Sequence, residues 1–161
     1  GREVVLSGFF SSVGVQPYHH ATRGMLRKAD EVLERLEIPH LAERPVEEMS
    51  SGEARRVLIG RALVHDPKAL VLDEPGNSLD LRAFEELRAV VRKLARSGVT
   101  ILLVTHHLPE IIPEIGRVIL LKNGRVFRDG PKEKILTAAN LSKLFGGRVE
   151  LLRRGGYYHL L

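Results

Sequence analysis

Two short apolar runs, Ala69 to Leu72 and Val99 to Thr105, stand on either side of a longer stretch, Leu81 to Ala95, whose apolar residues recur at helical spacing. Runs of four to seven apolar residues bounded by turn formers read as buried strands. A strand, a helix and a strand in that order make a crossover unit, and such units build a parallel sheet with helices packed on it. The predicted fold class is therefore α/β.

The flanking pattern extends this unit. A helix is predicted over Gly52 to Val64, opened by the turn former Ser50-Ser51-Gly52, with an apolar stripe and two arginines near its start. Before it, residues 1 to 50 read as helical: an apolar segment at Arg2 to Phe10, a loop at Ser11 to His20, a helix at Ala21 to Leu36, and one short turn between Pro39 and Pro45. After Thr105 come a short helix near Pro109 to Ile112 and strands Arg117 to Leu121 and Arg125 to Arg128. The pair Asn123-Gly124 joins those strands as a hairpin turn. Two short helices, Lys132 to Ala138 and Leu141 to Phe145, precede a last hairpin, Arg148 to Leu152 with Tyr157 to Leu161, turned at Gly155-Gly156. These strands extend the parallel sheet with antiparallel ones. The division expected is a helical subdomain at 1–50 and a sheet-bearing core at 51–161.

Composition bears on which functions are open. With 161 residues, 43% of them hydrophobic and 28% charged, the chain has the size and balance of one globular domain. It has no cysteine, which removes disulfides, thiolate metal sites and cysteine nucleophiles. The longest apolar runs are far too short to cross a bilayer. The formal charge of +5 suits phosphates or anionic surfaces, but the basic residues are scattered and not interleaved with aromatics, so a solvated basic surface explains them.

Three places carry candidate chemistry. At Ser50 to Glu53 a helix start presents a hydroxyl, free backbone N–H groups and the positive end of the dipole, an arrangement suited to a phosphate. An ordinary N-cap with an acidic third residue explains the same four positions. The strand at Ala69 ends in Asp73-Glu74 before Pro75, and in a parallel sheet ligands bind at the carboxyl ends of the strands. An aspartate there can hold Mg²⁺, and Glu74 can orient or deprotonate a water; an acidic turn before proline is the alternative. Asp80 is a good N-cap for the helix that follows, which accounts for it without any function. Strand Val99 to Thr105 delivers His106 and His107 at its end, level with Asp73 and Glu74 if the two strands are neighbours. A zinc reading of His106, His107 and Glu110 matches no standard ligand spacing.

In order and spacing, Met49-Ser50-Ser51-Gly52-Glu53, the strand into Asp73-Glu74-Pro75, the turn Asn77-Ser78-Leu79-Asp80 and the strand into His106 together resemble the ATP-binding cassette (ABC) ATPases. The resemblance covers essentially the whole chain and implies the C-terminal part of a P-loop (RecA-like) ATPase core. It implies ATP and Mg²⁺ as cofactors. Ser50, Ser51, Gly52 and Glu53 would be the signature motif, gripping the γ-phosphate of ATP bound to the opposite subunit. Asp73 would hold Mg²⁺, Glu74 would be the general base, Asp80 would belong to the loop that touches the partner, and His106 would be the switch histidine on the γ-phosphate. Ser51 and Glu53 replace the commoner glycine and glutamine, and His107 stands where many members carry an acid.

One part of the pattern is missing. The sequence contains no Gly-Lys dipeptide, so it lacks the loop that cradles the phosphates. Gln16, the only glutamine, is too close to the signature to be the family's Q-loop residue, and the aromatic that stacks on adenine, normally on a strand before the phosphate loop, has no candidate. The expectation is the C-terminal two-thirds of a cassette, unable to hydrolyse ATP by itself. The resemblance further implies the ATP-binding subunit of a transporter, with importer-type cassettes the nearest pattern. Such a subunit pairs with a second ATPase subunit and with transmembrane permease subunits, is peripheral on the cytoplasmic face of the cell membrane, and binds no nucleic acid. A soluble cassette ATPase acting on DNA or ribosomes, and a non-enzymatic interaction fragment, are the alternatives.

Overall fold

A computed structural model describes residues 1–11 and 20–161. The predicted loop at Ser11 to His20 falls almost wholly on the remainder, and Gln16 lies outside the described residues. The chain forms two compact units, Gly1–Leu102 and Leu103–Leu161.

In the first unit, α1 (Arg2–Ser7) runs into a short 3₁₀ turn at Gly8–Phe10. A Cβ on Gly8 would lie 2.3 Å from the backbone oxygen of Arg61, so only glycine allows this turn to press on the next helix but one. Helix α2 (Arg23–Arg35) starts where Thr22 accepts a hydrogen bond from the Met25 amide at 3.2 Å. It ends before Glu37, whose φ of 62° turns the chain away. Two 3₁₀ turns, at Pro39–Leu41 and Val46–Glu48, occupy the stretch read as one short turn between prolines. Leu33, Leu36, Ile38 and Leu41 are fully buried there with Val5, Val57 and Leu63. Helix α3 (Ser51–Leu63) meets α1 and α2 at Gly60, where an added Cβ would sit 3.1–3.3 Å from Leu36, Val5 and Val32.

Helix α3 buries one face, with Val57, Ile59, Gly60 and Leu63, but apolarity does not mark that face cleanly. Leu58 faces out, whereas the Arg56 side chain is only 13% exposed. The reason is tertiary: Arg56 pairs with Glu86 on another helix, and Leu58 lines a concave surface.

Strand β1 (Ala69–Asp73), helix α4 (Leu81–Arg96) and strand β2 (Thr100–Val104) realise the predicted crossover, with β1 and β2 adjacent in a two-stranded parallel sheet. The Thr100 amide donates to the Lys68 oxygen at 2.8 Å. Burial alternates along β1, so Leu70 and Leu72 point inward while Val71 is 63% exposed. Helix α4 buries Leu87, Val90, Val91 and Leu94, an i, i+3, i+4, i+7 set that makes one face apolar.

The second unit is built on two hairpins. Strands β3 (Arg117–Lys122) and β4 (Arg125–Pro131) pair antiparallel around Asn123-Gly124, whose φ values of 52° and 72° fit the expected hairpin turn. Register shifts between Leu120 and Leu121, a bulge that the alternation pattern did not reveal. The two short helices divide differently from expectation: α5 is Lys132–Ile135 and α6 is Ala138–Phe145, because Thr137 caps α6 by accepting from the Asn140 amide. The last strands also shift, to β5 (Leu151–Arg154) and β6 (Tyr157–Leu160), which places Gly155-Gly156 directly in the turn. Leu108, Ile111, Leu120, Ile135, Leu136, Leu141 and Tyr158 form this unit's core. Lys132 is buried, and its Nζ donates to the oxygens of Ile112 and Pro113 at 3.2 and 2.8 Å; burial holds its pKa below the ordinary lysine range.

Candidate functional site

Ser50 has extended backbone geometry, and its Oγ accepts from the Glu53 amide at 3.3 Å while Glu53 Oε2 accepts from the Ser50 amide at 2.8 Å. This reciprocal pair is a capping box. The Ser50 oxygen is thus engaged as an acceptor of the Glu53 amide. Ser50 and Ser51 are exposed, and Gly52 is buried. The backbone N–H of Ser50, then its hydroxyl, hold the Glu53 carboxyl below the usual glutamate range.

Arg44 adds a partner that sequence reasoning missed. Its Nη1 lies 3.3 and 3.4 Å from the two Glu53 oxygens, and its Nη2 donates to the Glu48 oxygen at 2.5 Å. It sits one residue before Pro45 in a segment without periodicity, so no local signal marks it.

Asp73 is the last residue of β1 and is exposed. Glu74 follows with φ 42°, in the left-handed region, and its oxygen accepts from the Asn77 amide at 3.1 Å. A glutamate in this conformation is uncommon, and the cost is of order 1 kcal/mol. The chain then turns through Ser78, φ 63°, to Asp80, whose Oδ1 accepts from the Ala83 amide at 2.8 Å and starts α4. The capping role expected of Asp80 is present.

The structure brings two of these places together. The first turns of α3 and α4 touch at Gly52, where an added Cβ would come within 2.6 Å of the Ala83 Cβ. One turn further on, Arg56 Nη2 and Glu86 Oε2 are 3.0 Å apart. The helix starts carrying Ser50 and Asp80 are therefore neighbours, a juxtaposition between residues far apart in sequence. His106 belongs to the other unit, directly after β2, exposed, with its ring 3.9 Å from that of His107 at 42°. The His107 amide donates to Thr105 Oγ1 at 2.9 Å, which fixes this short bend.

The residues present fit part of a nucleotide site. Asp73 is a hard oxygen donor of the kind Mg²⁺ takes. Among the described residues no group of three His, Cys, Asp or Glu side chains is placed to hold a metal. The α3 N-terminus presents backbone N–H groups and the positive end of the helix dipole, which suit an anion. A full triphosphate cradle is not supplied, for the sequence has no Gly-Lys.

A strand, a helix and a second strand beside the first, with acidic residues closing the first strand, make an α/β crossover unit. Comparisons with known proteins carry this further. Residues 6–77 match the ABC transporter family model. The chain is 39% identical over 152 residues to YlmA of Bacillus subtilis, an uncharacterized ABC transporter ATP-binding protein, covering 93% of this chain and 57% of YlmA. It is 35% identical over 126 residues to the hemin import ATP-binding protein HmuV of Hahella chejuensis, covering 74% of this chain and 49% of HmuV. Among solved structures, the ATP-binding cassette MJ1267 of an ABC transporter superposes with a TM-score of 0.78 at 27% identity, over 90% of this chain and 60% of that one. The chain is homologous to the ATP-binding proteins of ABC transporters and has their fold. It spans about half the length of these two curated relatives.

Proposed function

We propose that this chain is the signature-bearing portion of the ATP-binding subunit of an ABC transporter. The observation that carries the reading is the Ser50–Glu53 capping box on α3, set beside the Asp80 turn, in the order the family uses to contact ATP across a pair of subunits. In this reading Ser50 donates its hydroxyl proton and Gly52 its backbone N–H to a γ-phosphate held by the opposite subunit, with Ser51 and Glu53 completing the turn. Asp73 would hold Mg²⁺, and the bound ion would supply charge to offset that of the phosphates. Glu74 orients and deprotonates the attacking water, His106 contacts the γ-phosphate, and Asp80 shapes the loop toward the partner. The partners are a second ATPase subunit and a pair of membrane permeases, which place the protein on the cytoplasmic face of the cell membrane; likeness to a hemin import protein supports an importer. Among the described residues no helix is long and apolar enough to cross a membrane, in keeping with a peripheral subunit. The concave surface of about 570 Å³ between α1, residues 42–47 and Leu58 of α3 is where a permease segment would rest.

Positioning and charge stabilisation dominate phosphoryl transfer, so a chain without the phosphate loop is expected not to turn over ATP. Titrating the chain with MgATP should give no heat and no phosphate release. Joining it to the part of YlmA outside the match should create turnover, and Glu74→Gln should lower that turnover by roughly 10²–10⁴-fold. ATP hydrolysis by the chain alone, or equal turnover by the Glu74→Gln chimera, would overturn this reading.

A further inference from the structure

The contact between α3 and α4 leaves no slack. The Gly52 backbone lies so near Ala83 that one additional methyl would stand at 2.6 Å, well inside van der Waals contact. Ala83 serves both helix starts, because its Cβ seats against Gly52 while its N–H is the donor that Asp80 accepts at 2.8 Å. Ser50, likewise, accepts from Glu53 in the turn that contains Gly52. Behind this contact the Arg56–Glu86 pair spans the same two helices at 3.0 Å, and Arg82 at 2.9 Å holds Glu86 from its other side. A small-residue contact in front and an ion pair behind stop the helices from sliding or rotating past each other.

We infer that Ala83, Arg56 and Glu86 are positioning residues that lock the Ser50–Glu53 turn and the Asp80 turn into one rigid block. A displacement of the Asp80 turn is thereby carried to Ser50 within the same chain. The functional meaning rests on the reading of these turns as nucleotide contacts; the mechanical coupling does not.

Amide hydrogen exchange on the whole chain tests it. Ala83→Val lies on α4, yet it should speed exchange of the Glu53 and Ala54 amides on α3 by roughly tenfold, whereas Ala83→Ser should leave them protected. Gly52→Ala should have the same effect as Ala83→Val, and moving the methyl, Gly52→Ala with Ala83→Gly, should restore protection. Glu86→Gln, which keeps the side chain's size and removes the ion pair, should loosen both turns, with Arg56→Gln adding nothing to it. Unchanged exchange at Glu53 and Ala54 in Glu86→Gln, or no recovery on moving the methyl, overturns the inference. No nucleotide enters these measurements, so failure of the MgATP chimera would remove the functional reading and leave the lock standing.

Discussion

At the residue scale, Ser50 and Glu53 show how one motif serves two ends. The sequence left open whether these positions cap a helix or face a phosphate, and the structure shows the cap, with Arg44 bracing Glu53 from outside. The two uses are compatible because a hydroxyl can accept and donate at once. Replacing Ser50 by alanine should cost about 1 kcal/mol by loss of the cap. The Glu53 carboxyl is depressed in the folded state, so its contribution is present above the unfolded glutamate range and is lost as the pH falls through the folded value. Thermal unfolding should therefore show the parent more stable than Glu53→Gln at pH 7, with the two converging as the pH falls through the folded carboxyl's titration. A difference that grows on acidification would show that the carboxylate is not what stabilises the turn.

At the scale of elements, the hairpin β3–β4 is a local structure, and a legible one. Asn123-Gly124 takes positive φ at both positions, which L residues other than Asn and Asp resist, so Gly124→Ala should destabilise the second unit by about 1–2 kcal/mol. Equilibrium unfolding followed at Tyr158, in that unit's core, would read it, and an unchanged midpoint would show that the turn is not under this constraint. The βαβ succession was legible for a similar reason: helix α4 carries its apolar face at helical spacing, and β1 is a short apolar run between turn formers. Boundaries moved where capping outweighed periodicity, as at Thr137, which splits α5 from α6. The bulge at Leu120/Leu121 was not legible, because an extra residue in one strand is defined only against its partner.

For the molecule as a whole, the outward face of the first unit's strands is unusual. Val71 is 63% and Leu102 56% exposed, although parallel sheets are ordinarily covered on both faces. Apolar sheet surface of this kind promotes association. Changing both residues to lysine should reduce self-association of the chain, measured by sedimentation velocity over a range of concentrations; equal association before and after would exclude this face as its cause.

The sequence by itself determined the succession of helices and strands, the caps at Ser50 and Asp80, the turn at Asn123-Gly124 and the likeness to ABC ATPases, because each is written in residues a few positions apart. Only the tertiary structure decided that Gly52 abuts Ala83, that Arg56 turns inward to Glu86 and that Arg44 reaches Glu53. Those contacts join residues from separate elements, and their geometry comes from close packing between helices, which no local pattern of side chains records.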